Sequence, residues 1–140
     1  MKKLIPLLLL CLLPVSLALA SPSGLIDQGN QAAAKGDLAK ATSLYQKAIA
    51  SGKLSKANLA VARTNLGCAL DDQGQVDQAI AQFNLALKAD PSYAQAYYNR
   101  SFCFERKNLP KLALEDAMQA VKIAPGDKDY AARLNYLKGQ

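Results

Sequence analysis

No histidine occurs anywhere in these 140 residues. That absence removes the commonest general base, the usual partner of a nucleophile and the commonest zinc ligand. Cysteine is scarce. Beyond Cys11 there are only Cys68 and Cys103, 35 residues apart, too few for a zinc site. The glycines are scattered singly, so no phosphate-cradling loop exists. "DDQGQVD" (71–77) gathers Asp71, Asp72 and Asp77 but lacks the alternating ligands and closing glutamate of a calcium loop. It reads as a solvated turn with acid near a helix start, and "LEDA" (114–117) as a solvated helix face. No enzyme, metal or cofactor is expected.

β-branched residues are few as well: residues 21–140 hold nine, against 23 alanines. Alanine favours helix and β-branching favours strand, so the chain reads as all-α. A strong charge bias is also missing. The formal net charge is +6, or +4 once Lys2 and Lys3 are set aside, and it is spread along the chain. Nucleic-acid binding would need a basic stripe; Lys40, Lys47, Lys53 and Lys56 cluster only loosely.

The first twenty residues, "MKKLIPLLLLCLLPVSLALA", have two lysines, a leucine-rich run and a small-x-small ending at Ala18-Leu19-Ala20. This is the layout of a secretory signal peptide cleaved after Ala20. The rival is an uncleaved membrane anchor, but Pro6 and Pro14 interrupt the run and it is short of the roughly 20 apolar residues a span requires. Leu10 before Cys11 argues against lipid attachment. The expectation is an exported protein, periplasmic or in an equivalent envelope lumen, with secretion as second choice. Residues 21–140 then form one domain with room for a core.

Two constant offsets organise that domain. Asn65, Ala79, Phe83, Ala86 and Pro91 recur 34 residues later as Asn99, Ala113, Ala117, Ala120 and Pro125. Gly67, Gly74, Ala79, Phe83 and Ala86 recur 38 residues earlier as Gly29, Gly36, Ala41, Tyr45 and Ala48. Val76, Ala79, Ile80, Phe83 and Leu87 fall on one helical face. Each unit is thus a helix–turn–helix hairpin, turning at "KGD" (35–37), "QGQ" (73–75) and "KNLP" (107–110). The prolines at 91 and 125 end the second helices. Recurrent small residues at Gly29, Gly67 and Ser101 mark close packing, because glycine inside a helix costs about 1 kcal/mol relative to alanine. The longer 38-residue spacing predicts one extra turn at the start of the middle unit's first helix, capped by Ser55 with Leu54 and Leu59 as a staple. A floppy "ASGKLS" linker is the alternative. Residues 128–138 form a last helix with Asp127 as N-cap, Tyr130, Leu134 and Leu137 inward, Gly139 at its end, and Lys128, Arg133 and Lys138 toward water.

The stretch "NLGCALDDQGQVDQAIAQFNLALKADP" resembles the tetratricopeptide repeats, helix pairs with small residues at fixed places, an aromatic on the second helix and a terminal proline. "AYYNRSFCFERKNLPKLALEDAMQAVKIAP" keeps most of the pattern, with Ser101 for Gly67 and Ala117 for the aromatic. "GLIDQGNQAAAKGDLAKATSLYQKAIA" keeps the second helix and has a degenerate first. The resemblance implies an all-α, right-handed superhelical stack of three helix pairs (about 22–55, 60–93 and 94–127) closed by a capping helix.

The resemblance also implies a concave groove lined by the first helices. It would hold Ile26, Asn30, Val61, Thr64, Asn65, Cys68, Gln95, Tyr98, Asn99, Phe102 and Arg106. Asparagine amides suit a peptide backbone and Tyr98 and Phe102 supply contact area. A clamp for a peptide's terminal carboxylate is incomplete: Asn30 and Asn65 match its asparagines, but Ile26, Gln95 and Asn99 stand where basic residues belong. The expectation is an adaptor that binds a protein segment, more apolar or internal than a chaperone tail. Self-association into a homo-oligomer is the rival. Cys68 and Cys103 are one residue out of phase on neighbouring repeats, which favours two free thiols over a bridge.

Overall fold

The computed structural model describes residues 21–140, so the expected leader and Cys11 lie outside the described residues. Seven α-helices follow: α1 Pro22–Ala34, α2 Leu38–Ala50, α3 Lys56–Asp72, α4 Val76–Ala89, α5 Ala94–Arg106, α6 Pro110–Ile123 and α7 Lys128–Lys138. No strand occurs among the described residues. Each helix packs on the next, and the first helices of successive pairs also touch, α1 on α3 and α3 on α5. That second set of contacts turns three hairpins into one stack.

One turn chemistry is used three times. Gly36, Gly74 and Asn108 stand at φ 79°, 77° and 57°, the left-handed region open to glycine and tolerated by asparagine. Around each, two backbone N–H groups fold back to close the preceding helix: Gly36 to Ala33 and Asp37 to Ala32, Gly74 to Asp71 and Gln75 to Leu70, Asn108 to Glu105 and Leu109 to Phe104. This is the paired closure that satisfies carbonyls left free at a helix end. Every hairpin therefore turns with the same geometry.

The extra turn is present. α3 has 17 residues where α1 and α5 have 13, and the Ser55 side chain accepts from the Asn58 N–H. α4 and α6 end at Ala89 and Ile123, just ahead of the Asp90-Pro91 and Ala124-Pro125 pairs. Asp127 caps α7 by accepting from the Asp129 and Tyr130 N–H groups. Gly139 ends it in a right-handed conformation, φ −89°, so that end uses no left-handed residue.

The recurrent glycines answer to aromatic rings. A Cβ built on Gly67 would stand 2.7 Å from the Phe83 ring, and one on Gly29 2.5 Å from the Tyr45 ring. The close approach is thus between a first helix and the aromatic of its own second helix, rather than between two backbones. In the third pair both halves of the device change: Ser101 replaces the glycine, Ala117 the aromatic, and both are fully buried. α7 fills the space. Leu137 packs with Ala113 and Ala117, and Arg133 donates to the Ser101 hydroxyl and carbonyl, 3.0 Å each.

Arg133 therefore departs from the sequence expectation of a solvent-facing residue. It is 6% exposed, its guanidinium lies 3.8 Å from the Phe102 ring centre, and it pairs with Glu105 at 2.7 Å. Asp116 departs in the same way. Far from a solvated face, it is buried and held bidentate by Arg100 at 2.7 and 2.8 Å. In both places a residue of opposite charge on another helix, Glu105 for Arg133 and Arg100 for Asp116, supplies the partner that lets a charge be buried.

Candidate functional site

α1, α3 and α5 lie side by side, and polar side chains link them across one face. Asn30 of α1 accepts from the Tyr45 hydroxyl and from the Asn65 amide of α3, both at 2.8 Å. Its oxygen is thereby turned inward, and its NH2 is left facing out. Asn65, having given its NH2 to Asn30, presents its oxygen. Farther along, the Asn99 amide donates to Cys68 Sγ at 3.1 Å, and the Tyr130 hydroxyl donates to Gln95 Oε1 at 2.9 Å. The face thus carries a fixed sequence of donors and acceptors, held by second-helix and α7 side chains from behind.

Two recesses interrupt this face. One, of about 210 Å³, is lined by Asn30, Ala33, Leu38, Tyr45, Asn65, Cys68, Ala69 and Asp72. The other, of about 440 Å³, is lined by Tyr98, Phe102, Glu105, Asp129, Ala132, Arg133 and Tyr136. Its rings are ordered: Tyr98 meets Phe102 edge to face with centres 5.1 Å apart and leans on Tyr130 at 4.9 Å.

Not every expected groove residue reaches the surface. Ile26 and Thr64 are 6% and 1% exposed and belong to the interior. The Thr64 hydroxyl is buried there without a hydrogen-bond partner. Val61 is half-buried against the core. Arg106 is half exposed and paired with Asp71. Asn30, Asn65, Gln95, Tyr98, Asn99 and Phe102 are brought together as expected. Sequence reasoning missed Tyr45, Tyr130 and Arg133, which fix groove residues from elsewhere. Tyr45 lies on the second helix of the same pair as Asn30, and Tyr130 and Arg133 about one repeat from Gln95 and Phe102; their partners were not visible in the sequence.

Neither thiol is built for chemistry. Cys68 and Cys103 are free, half-buried and buried respectively. Burial pushes the Cys68 thiol up to about 12, with the carboxylates of Asp72 and Asp71 adding to the effect. Burial does the same for Cys103, also to about 12, and the nearby Asp71 carboxylate adds to it. Among the described residues no cluster of side chains suits a metal ion, and no helix is long and apolar enough to cross a membrane.

Comparison with known proteins agrees with this geometry. Residues 64–128 match the tetratricopeptide repeat family. Tetratricopeptide repeat protein 36 of Caenorhabditis elegans is 36% identical over 58 residues, 41% of this chain and 32% of that protein. The tetratricopeptide repeat domain-containing protein PYG7, chloroplastic, of Arabidopsis thaliana is 30% identical over 98 residues, 70% of this chain and 33% of that one. The chain thus spans about a third of the length of these relatives. Among solved structures, the first repeat domain of Spaghetti (RPAP3), bound to the HSP90 peptide SRMEEVD, superposes with a TM-score of 0.76 at 21% identity, covering 85% of this chain and 91% of that one. The Sgt2 repeat domain from Aspergillus fumigatus gives 0.76 at 23% identity, covering 84% and 77%. At such identities the likeness is one of fold.

Proposed function

We propose that this chain, which belongs to the tetratricopeptide repeat family, works as a non-enzymatic adaptor that holds a segment of another protein against the face of α1, α3 and α5. The observation that carries the reading is the outward pair formed by the Asn30 NH2 and the Asn65 oxygen. A donor beside an acceptor matches one peptide unit of an extended chain, and both amides are already oriented, Asn30 by the Tyr45 hydroxyl and Asn65 by its bond to Asn30. Orientation before binding lowers the entropy cost of recognition. The rings of Tyr98 and Phe102 add apolar contact area next to it.

The leader-like first twenty residues support export, to a periplasm or an equivalent lumen, where the partner would belong to an envelope assembly. Self-association is the second reading. It draws on Leu85, Leu109, Leu112 and Met118, which are 39% to 51% exposed on the second helices and the turn before α6.

Affinity capture tests the two. The wild-type protein is compared with an Asn65→Ala, Tyr98→Ala variant, which leaves Phe102 and its contact with Arg133 in place. A partner retained by the wild type and lost by a variant of unchanged helicity is the expected result. Capture unaffected by the variant, or recovery of this chain alone, contradicts it and favours self-association.

A further inference from the structure

We infer that the face accepts a basic segment, with lysine or arginine side chains as anchors in the recesses that carry Asp72 and Asp129. The inference rests on the groove-binding reading above and adds the chemistry of the partner. In the two recesses the acidic residues are Asp72, Glu105 and Asp129, and the sole cation is Arg133, a balance of −2. The chain as a whole is +6, so these two recesses run against the net charge of the molecule.

Arg133 is not available to a ligand. Its side chain is 5% exposed and is committed to Glu105 and to Ser101. Asp72 and Asp129, both exposed, enter none of the ion pairs found among the described residues. Asp72 is also placed against local preference. It is the last residue of α3, where the helix dipole disfavours an anion by about 0.3–1 kcal/mol. Its neighbour Asp71 shares that disadvantage but is offset by Arg106. A local rule broken without a compensating partner marks a place selected for something other than stability.

The larger recess adds aromatic surface to the carboxylate. Tyr98, Phe102 and the 52% exposed Tyr136 line it beside Asp129, and ring faces attract lysine and arginine cations. The protein's own Arg133, stacked over Phe102, uses the same chemistry from the inner side. A segment ending in acidic residues would bring its charge to unpaired carboxylates and find no free cation in either recess, an arrangement that repels it.

A positional-scanning library of short peptides, acetylated and amidated so that neither end is charged, is panned against the purified protein. Enrichment of lysine or arginine with depletion of aspartate and glutamate is expected. The best peptide is then titrated by fluorescence anisotropy. Replacing its enriched cation by norleucine, or making Asp72→Lys or Asp129→Lys in the protein, should weaken binding about tenfold. A glutamate in place of the anchor should bind the reversed-charge variant better than the wild type. Circular dichroism of the variants should match wild type, while the thermal midpoint should rise slightly for Asp72→Lys, at the C-terminus of α3, and fall slightly for Asp129→Lys, in the first turn of α7. Selection of acidic or purely apolar anchors, or indifference to both charge reversals, overturns the basic-anchor inference while leaving groove binding standing. No selection from this library and none from one with free C-terminal carboxylates overturns the groove reading itself.

Discussion

Gly67 is the residue on which the middle repeat closes. Alanine there would gain about 1 kcal/mol of helix propensity, but its Cβ would lie 2.7 Å from Phe83, a ring 1% exposed with nowhere to move. Overpacking of that kind costs about 1–3 kcal/mol. Gly67→Ala should therefore lower stability by roughly 1 kcal/mol in urea titration; a rise would show that the ring yields. Thr64 presents the opposite case. Its hydroxyl is buried without a partner, so Thr64→Val, which keeps the shape and removes the unsatisfied group, should raise stability by about 1 kcal/mol. The thiols make a third residue-scale statement. With both at about 12, native Cys68 and Cys103 should stay silent toward a chromogenic disulfide reagent at neutral pH and react on unfolding, since the thiolate is the reactive form.

Among the elements, α7 is the one whose attachment is least ordinary. It substitutes an arginine for the ring that the earlier pairs place against a small residue. Truncating Arg133 removes two hydrogen bonds to Ser101, the stack on Phe102 and the pair with Glu105. Because Glu105 is itself partly exposed and can return to water, the loss should be about 2 kcal/mol rather than that of a fully buried pair. Hydrogen exchange on Arg133→Ala should show α7 losing protection while α1 to α4 keep theirs; uniform loss would mean the stack unfolds as one unit.

The helices, their turns and the extra turn of α3 were legible because they rest on local chemistry: glycine and proline placement, a serine cap and a 34-residue spacing. Gly29 and Gly67 announced close packing through their recurrence. What they pack against was not legible, since a ring and a backbone leave the same small-residue signature. Arg133 and Asp116 were misread for a related reason. A charge on a helix reads as solvated unless its partner is known, and Ser101, Glu105 and Arg100 lie 32, 28 and 16 residues away in sequence. Ile26 and Thr64 were placed in the groove by analogy of position and lie one face too far inward.

At the scale of the molecule, titration has a definite sign. The folded chain holds the Cys68 and Cys103 protons up to about 12, well above the ordinary thiol range, and burial raises Tyr45 and Tyr93 in the same direction. Groups raised on folding contribute stability that is complete below their unfolded values and is lost as pH climbs through the folded ones. Stability should thus fall between pH 9 and 12, and less steeply in a Cys68→Ala, Cys103→Ala variant, as read by denaturant midpoints.

The central claim is that the face of α1, α3 and α5 holds a partner. The most direct test places a photoreactive amino acid, one position at a time, at Asn65 and Gln95 on that face and at Leu85 and Met118 on the second helices, followed by irradiation in cells. The account predicts adducts to another protein from positions 65 and 95 and none from 85 and 118. Adducts confined to 85 and 118, or crosslinks to further copies of this chain alone, would contradict it.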